Sequence, residues 1–76
     1  MTEANSSQFP VILVTGAAGG IGSAVIRRFA TSGWRCASAD LAAPMESVEH
    51  HVATDVRSVA ACSAAVQSTV NTFGRL

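Results

Sequence analysis

Between Thr15 and Gly22 the chain reads Thr-Gly-Ala-Ala-Gly-Gly-Ile-Gly, a stretch in which the main chain, not a side chain, is the reactive surface. The first N–H groups of an α-helix have no carbonyl one turn earlier to bond to, and the helix dipole adds partial positive charge there. A turn of small residues that opens a helix can therefore grip a diphosphate with bare amides. Gly16 would make the sharp exit from a strand, Gly20 would let phosphates approach, and Gly22 would let helix and strand pack closely. The plainer alternative is a tight strand-to-helix connection that binds nothing. No Gly-Lys-Ser/Thr follows, so this is not a P-loop, and the spacing Gly-x-x-x-Gly-x-Gly differs from Gly-x-Gly-x-x-Gly.

A second candidate is Asp40, whose carboxylate can accept hydrogen bonds from both hydroxyls of an adenosine ribose. The same charge repels a 2′-phosphate. Its alternative role is to cap local backbone at the start of a loop.

The elements that must position these groups follow from hydropathy. Val11 to Thr15 is a short β-branched run, apolar on both faces, which fits a strand of a parallel sheet covered on both sides. From Ile21 to about Thr31, Ile21, Val25 and Phe29 fall on one helical stripe, and Ser32-Gly33 is a stop. Trp34 to Ala39 reads as a second strand ending at Asp40, and Leu41 to Glu49 as a loop. His51 to Thr54 is a weaker third strand. A second helix is expected from about Ser58 to Phe73, with Val59, Cys62, Val66, Val70 and Phe73 as its apolar line and Gly74 as its stop. This alternation predicts an α/β fold with a parallel sheet between helical layers.

Composition narrows the function classes. With 49% hydrophobic and 13% charged residues the chain is no candidate for disorder. Five arginines balance five acids, with no basic patch to suggest nucleic acid. Residues 1–9 form a polar lead-in without the basic and apolar regions of a secretory signal, and the run Val11 to Val14 is far too short to span a bilayer. A cytoplasmic protein without membrane contact is the default. Cys36 and Cys62 sit in apolar stretches, which favours two reduced thiols over a disulfide.

The segment Thr15-Gly16-(x)3-Gly20-Ile21-Gly22, with threonine in front and isoleucine between the last two glycines, resembles the cofactor motif of the classical short-chain dehydrogenase/reductase family. The resemblance covers nearly all of residues 10–76 and implies the first half of a Rossmann domain, three-layered α/β/α. It implies an oxidoreductase parent that binds a nicotinamide dinucleotide, with Gly16, Ala18, Gly19, Gly20, Ile21 and Gly22 at the diphosphate and adjacent ribose. Asp40 followed by Leu41 resembles the NAD-preferring pattern, and Gly19 stands where NADP-preferring members often carry a base, so NAD is expected over NADP. Asp55-Val56 resembles the adenine-contacting pair, the carboxylate accepting from the adenine amino group and the valine flanking the ring. Asp55 or Ser58 would otherwise begin the cap of the following helix.

Family members use a tyrosine acid/base, a lysine four residues beyond it and a serine. This chain has no tyrosine, and all its basic residues are Arg27, Arg28, Arg35, Arg57 and Arg75, so no catalytic residue is assigned. In the family, the sequence around Phe73-Gly74 leads into a fourth strand beside the nicotinamide. The expectation is therefore a segment truncated before that strand, not catalytic by itself, marginal in isolation, from a parent that is a homo-oligomer. The other reading is a non-catalytic module that senses NAD or docks on a protein. Adjacent His50 and His51 would point to opposite sides of a strand and lack a third ligand, so no metal is expected. Trp34 reads as packing, Arg57 as a solvated arginine at a helix start rather than a group approaching the adenine edge, and Cys36 as unreactive.

Overall fold

A computed structural model describes residues 9–17, 19–44 and 46–76. Three strands, β1 (Val11–Thr15), β2 (Arg35–Asp40) and β3 (His50–Ala53), form a parallel sheet in the order β1-β2-β3. Helix α1 (Gly20–Thr31) connects β1 to β2, and α2 (Val59–Phe73) follows β3. Val11 pairs with Arg35 and Thr15 with Ala39, while Ala37 pairs with His50 and Asp40 with Ala53. All three strands therefore stop at one edge of the sheet.

Side chains alternate along a strand, so the register sorts them onto two faces. Ile12, Val14 and Cys36 share one face, where they pack with Ile26, Val25 and Phe29 of α1. Val48, from the connection between β2 and β3, joins the same cluster. That connection contains no helix among its described residues, and two ion pairs hold it, Glu46 to Arg27 at 3.6 Å and Glu49 to Arg35. His50 lies on the other face, where its Nε2 sits 2.8 Å from Ser68 Oγ and its ring meets Phe73 edge-on. Helix α2 thus covers the opposite face, which completes the expected α/β/α layering.

The core is built from small residues. Ala37 and Ala39 of β2 and Ala65 of α2 are fully buried, as are Ser38 and Thr69. Buried hydroxyls need partners. Thr69 donates to the Ala65 carbonyl at 2.8 Å, and Ser38 Oγ lies 2.6 Å from His51 Nδ1. The two histidines thus each meet a serine, on opposite faces of the sheet, and among the described residues no group of three ligating side chains could hold a metal.

Both helical stripes are rotated from their expected positions. In α1 the inward residues are Gly22, Ser23 and Ile26, with Val25 and Phe29 half-buried, while Ile21 is 85% exposed. The reason lies at the helix start, where α1 crosses so close to the preceding turn that only a residue without a side chain can face inward. In α2 the buried residues are Ala65 and Thr69, whereas Val59 is 84% exposed and Val66 is exposed. Hydropathy favoured the valines, but the alanine-lined sheet admits small residues.

Strand and helix limits shift by a residue or so. Trp34 precedes β2 and stacks edge-on against Phe29 with ring centroids 4.9 Å apart. Ser58 is the N-cap of α2, accepting the Ala61 N–H at 3.1 Å, and Gly74 closes the helix in the left-handed conformation. No helix among the described residues is long and apolar enough to cross a membrane.

Both cysteines are free, Cys36 buried and Cys62 half-buried. Burial pushes the Cys36 thiol above its ordinary pKa, and the charge of Glu49 adds to the effect. A thiolate-directed maleimide is therefore expected to modify Cys62 in the folded protein and spare Cys36 until unfolding. Equal rates of labelling by mass spectrometry would contradict this arrangement.

Candidate functional site

Every side chain or turn singled out for binding, apart from one outside the described residues, lies where the strands end. Gly16 follows β1 with φ +67°, a left-handed conformation that costs a side-chain-bearing residue about 1–2 kcal/mol. It reverses the chain so that Gly19 can donate its N–H to the Gly16 carbonyl at 3.2 Å. Ala18 lies outside the described residues. Gly19 is the N-cap of α1 and makes no side-chain cap, and no acidic residue occupies the first turn. The helix start thus presents main-chain amides and a positive dipole end that no carboxylate of the first turn neutralises.

The glycines of the first turn do different work. A Cβ on Gly22 would lie 2.3 Å from the Gly16 carbonyl oxygen and 2.7 Å from Ala17 Cα. These are backbone atoms that cannot swing away, so Gly22 sets how closely α1 meets the turn. At Gly20 the corresponding space is open, with nothing within 4 Å. The exposed space beside Gly20 is therefore open to a ligand at the helix start, and a Cβ there would begin to fill it.

Ser23 supports this geometry and was not singled out from the sequence. Its buried hydroxyl donates to the Ala17 carbonyl at 3.2 Å, tying the helix back to the turn. Its position among alanine and glycine was the only hint, because an irregular turn has no period from which to infer the contact. Ser23→Ala is expected to lower stability by about 1 kcal/mol in denaturant titration. Unchanged stability would show that the hydroxyl does not hold the turn.

Asp40 is the last residue of β2, and its Oδ1 accepts the Leu41 N–H at 2.7 Å. The local capping role is therefore real and leaves Asp40 at the sheet edge beside the exposed Leu41. Asp55 and Val56 lie in the turn between β3 and α2. The cap of α2 belongs to Ser58, so Asp55 is not needed for it. Instead Asp55 Oδ1 accepts both the N–H and the Nε–H of Arg57 at 3.0 Å, and Oδ2 accepts from Nη2 at 3.0 Å. These hydrogen bonds hold the Asp55 carboxyl below its usual pKa and raise that of Arg57. Arg57 is the solvated arginine before α2 that the sequence suggested, its side chain 85% exposed, and the fold also pairs it with Asp55.

Ile21, Leu41, Val56 and Val59 are all exposed large apolar residues, and each stands just past a strand or at the start of a helix on this edge. Exposed apolar side chains beside the polar groups of this edge suit the faces of a bound ring system. A separate hollow, lined by Phe9, Val11, Arg35, Thr72 and Phe73, opens at the opposite edge, where strands begin. Its one charged group, Arg35, is already engaged by Glu49 and by the Phe9 ring. Ligands of open parallel sheets bind at the carboxyl ends of strands, so the glycine edge is the candidate site.

Comparison with known proteins agrees with this geometry. No curated protein matches the chain. Among solved structures, a short chain dehydrogenase from Leptospira borgpetersenii serovar Hardjo-bovis, crystallised with bound NAD+, superimposes with a TM-score of 0.71 at 20% sequence identity. The match takes in 95% of this chain and 31% of that one, so the chain spans about a third of the length of its structural relative. At that identity the likeness concerns the fold. A family model described as short chain dehydrogenase matches residues 10–76, which is the sheet, both helices and the whole glycine turn. On that match the chain belongs to the short-chain dehydrogenase family.

Proposed function

We propose that this chain is the dinucleotide-binding segment of an NAD-dependent oxidoreductase acting on an alcohol or carbonyl group. The observation that carries the reading is the pairing of two glycines. Gly22 is packed against backbone with no space for a Cβ, and Gly20 opens onto empty space above the helix start. A merely tight connection explains the first but gives no reason for the second.

In this reading the main chain from Gly16 to Gly22 holds the diphosphate, with Ala18 and Gly19 in the turn and Ile21 against the adjacent ribose. Asp40 accepts from the ribose hydroxyls and excludes a 2′-phosphate, so NAD is the cofactor. Leu41 and Val56 line the adenine, and Asp55 accepts from its amino group. When bound, the dinucleotide supplies the hydride donor or acceptor. The residues of this chain bind and orient; with no tyrosine or lysine, they do not provide the family's proton-transfer pair. That pair belongs to the rest of a longer protein, which we propose to be a cytoplasmic homo-oligomer.

The direct test is calorimetric titration of the protein carrying this chain with NAD+ and NADP+, together with its coding sequence beyond Leu76. Saturable binding that favours NAD+, and a Tyr-x-x-x-Lys downstream in frame, are expected. Absence of dinucleotide binding by the folded protein would refute the proposal.

A further inference from the structure

The clamp that Arg57 places on Asp55 bears on which base the site can accept, an inference that rests on the proposed contact between Asp55 and adenine. A carboxylate offers about four acceptor positions on its two oxygens. The Arg57 N–H and Nε–H both go to Oδ1, and Nη2–H goes to Oδ2, each at 3.0 Å. One position is left, on Oδ2. The Asp55 side chain is 37% exposed and that of Arg57 85%, so the guanidinium approaches from the solvent side and leaves the carboxylate closer to the body of the fold. Burial does not hold this pair together. A charge-assisted fork and a backbone amide do, and both have strict geometry.

We propose that Arg57 is a positioning residue that reduces Asp55 to a single directed acceptor, and thereby selects a purine bearing an exocyclic amino group over one bearing an oxo group there. An amino group donates into the remaining position. An oxo group meets a lone pair head-on. The carboxyl could adapt to an oxo group only by taking up a proton, and the guanidinium opposes that protonation. Without the Arg57 side chain only the main-chain N–H of residue 57 still holds Oδ1, so the carboxylate can swing about that bond, presents more than one acceptor position and gives way more easily to the wrong base.

The test compares the affinity of the protein carrying this chain for NAD+ and for nicotinamide hypoxanthine dinucleotide, in wild type, D55N and R57Q. Wild type is expected to favour the adenine form by about tenfold or more, as the gain or loss of one hydrogen bond to a charged group implies. R57Q is expected to cut that preference about fivefold, with an unchanged melting temperature because the side chain is exposed. A structural role alone would move the melting temperature and leave the ratio. If wild type does not distinguish the two dinucleotides, the adenine reading of Asp55 itself is overturned. If wild type distinguishes them, D55N does not, and R57Q still does, the adenine reading stands and the role of Arg57 is overturned.

Discussion

Gly22→Ala is expected to destabilise the protein by about 3 kcal/mol, the upper part of the range for overpacked sites. Dinucleotide affinity should fall at least tenfold with it. The added methyl would sit 2.3 Å from the Gly16 carbonyl oxygen and 2.7 Å from Ala17 Cα, so α1 must lift away from the turn. Lifting breaks the Ser23 to Ala17 hydrogen bond and moves the helix amides off their target. Gly20→Ala is the matched comparison. Its methyl meets nothing within 4 Å, and alanine favours a helix over glycine by about 0.8–1 kcal/mol in a helix interior, less at this first position. That variant should melt no lower than wild type and still lose dinucleotide affinity, because its methyl enters the space that the proposed function gives to phosphate. Chemical denaturation and calorimetry on both variants separate the two effects. A Gly20→Ala protein that binds normally would remove the diphosphate from the turn, and a stable Gly22→Ala protein would contradict the contact geometry.

Asp40→Ala is expected to swing cofactor preference about a hundredfold away from NAD. Each hydrogen bond from a ribose hydroxyl to a carboxylate is worth about 1.5–3 kcal/mol, so losing them weakens NAD at least tenfold. The same substitution removes the repulsion of a 2′-phosphate. Two unit charges 4 Å apart repel by about 4 kcal/mol at an effective dielectric of 20, which is ample for the other half of the swing. Asp40 is half-exposed, and the bond it accepts from the Leu41 N–H at 2.7 Å can pass to water. Ratios of dissociation constants for NAD+ and NADP+ measure the effect. An unaltered ratio would show that Asp40 does not set the cofactor preference.

The features legible in the residues and those that were not divide along a physical line. The glycine turn was legible because it is a local demand: Gly16 needs φ +67° and Gly22 needs a missing side chain, and both fall within one short stretch. β1 was legible from its β-branched run, and Ser58 and Gly74 marked the limits of α2. The inward faces of the helices were not. Helical periodicity ranks residues by hydropathy, whereas close approach ranks them by size, so Gly22 displaced Ile21 and Ala65 displaced the valines. Arg57 was missed for a different reason. Its link to Asp55 is a local turn in which the aspartate accepts the N–H two residues on, a conformation that aspartate favours but that its presence alone does not impose.

The single edge at which β1, β2 and β3 terminate has a consequence for how such a chain can diverge. Residues in mid-strand and mid-helix answer to volume and, where they carry a buried hydroxyl, to a local partner such as those of Ser38 and Thr69. Those at strand tips, in the proposed function, answer to a guest. A lineage can therefore exchange most of its interior while its outline persists, which is consistent with a TM-score of 0.71 at 20% identity to the Leptospira structure. Changes of ligand preference should begin at the tips, one residue at a time, without asking the interior to repack.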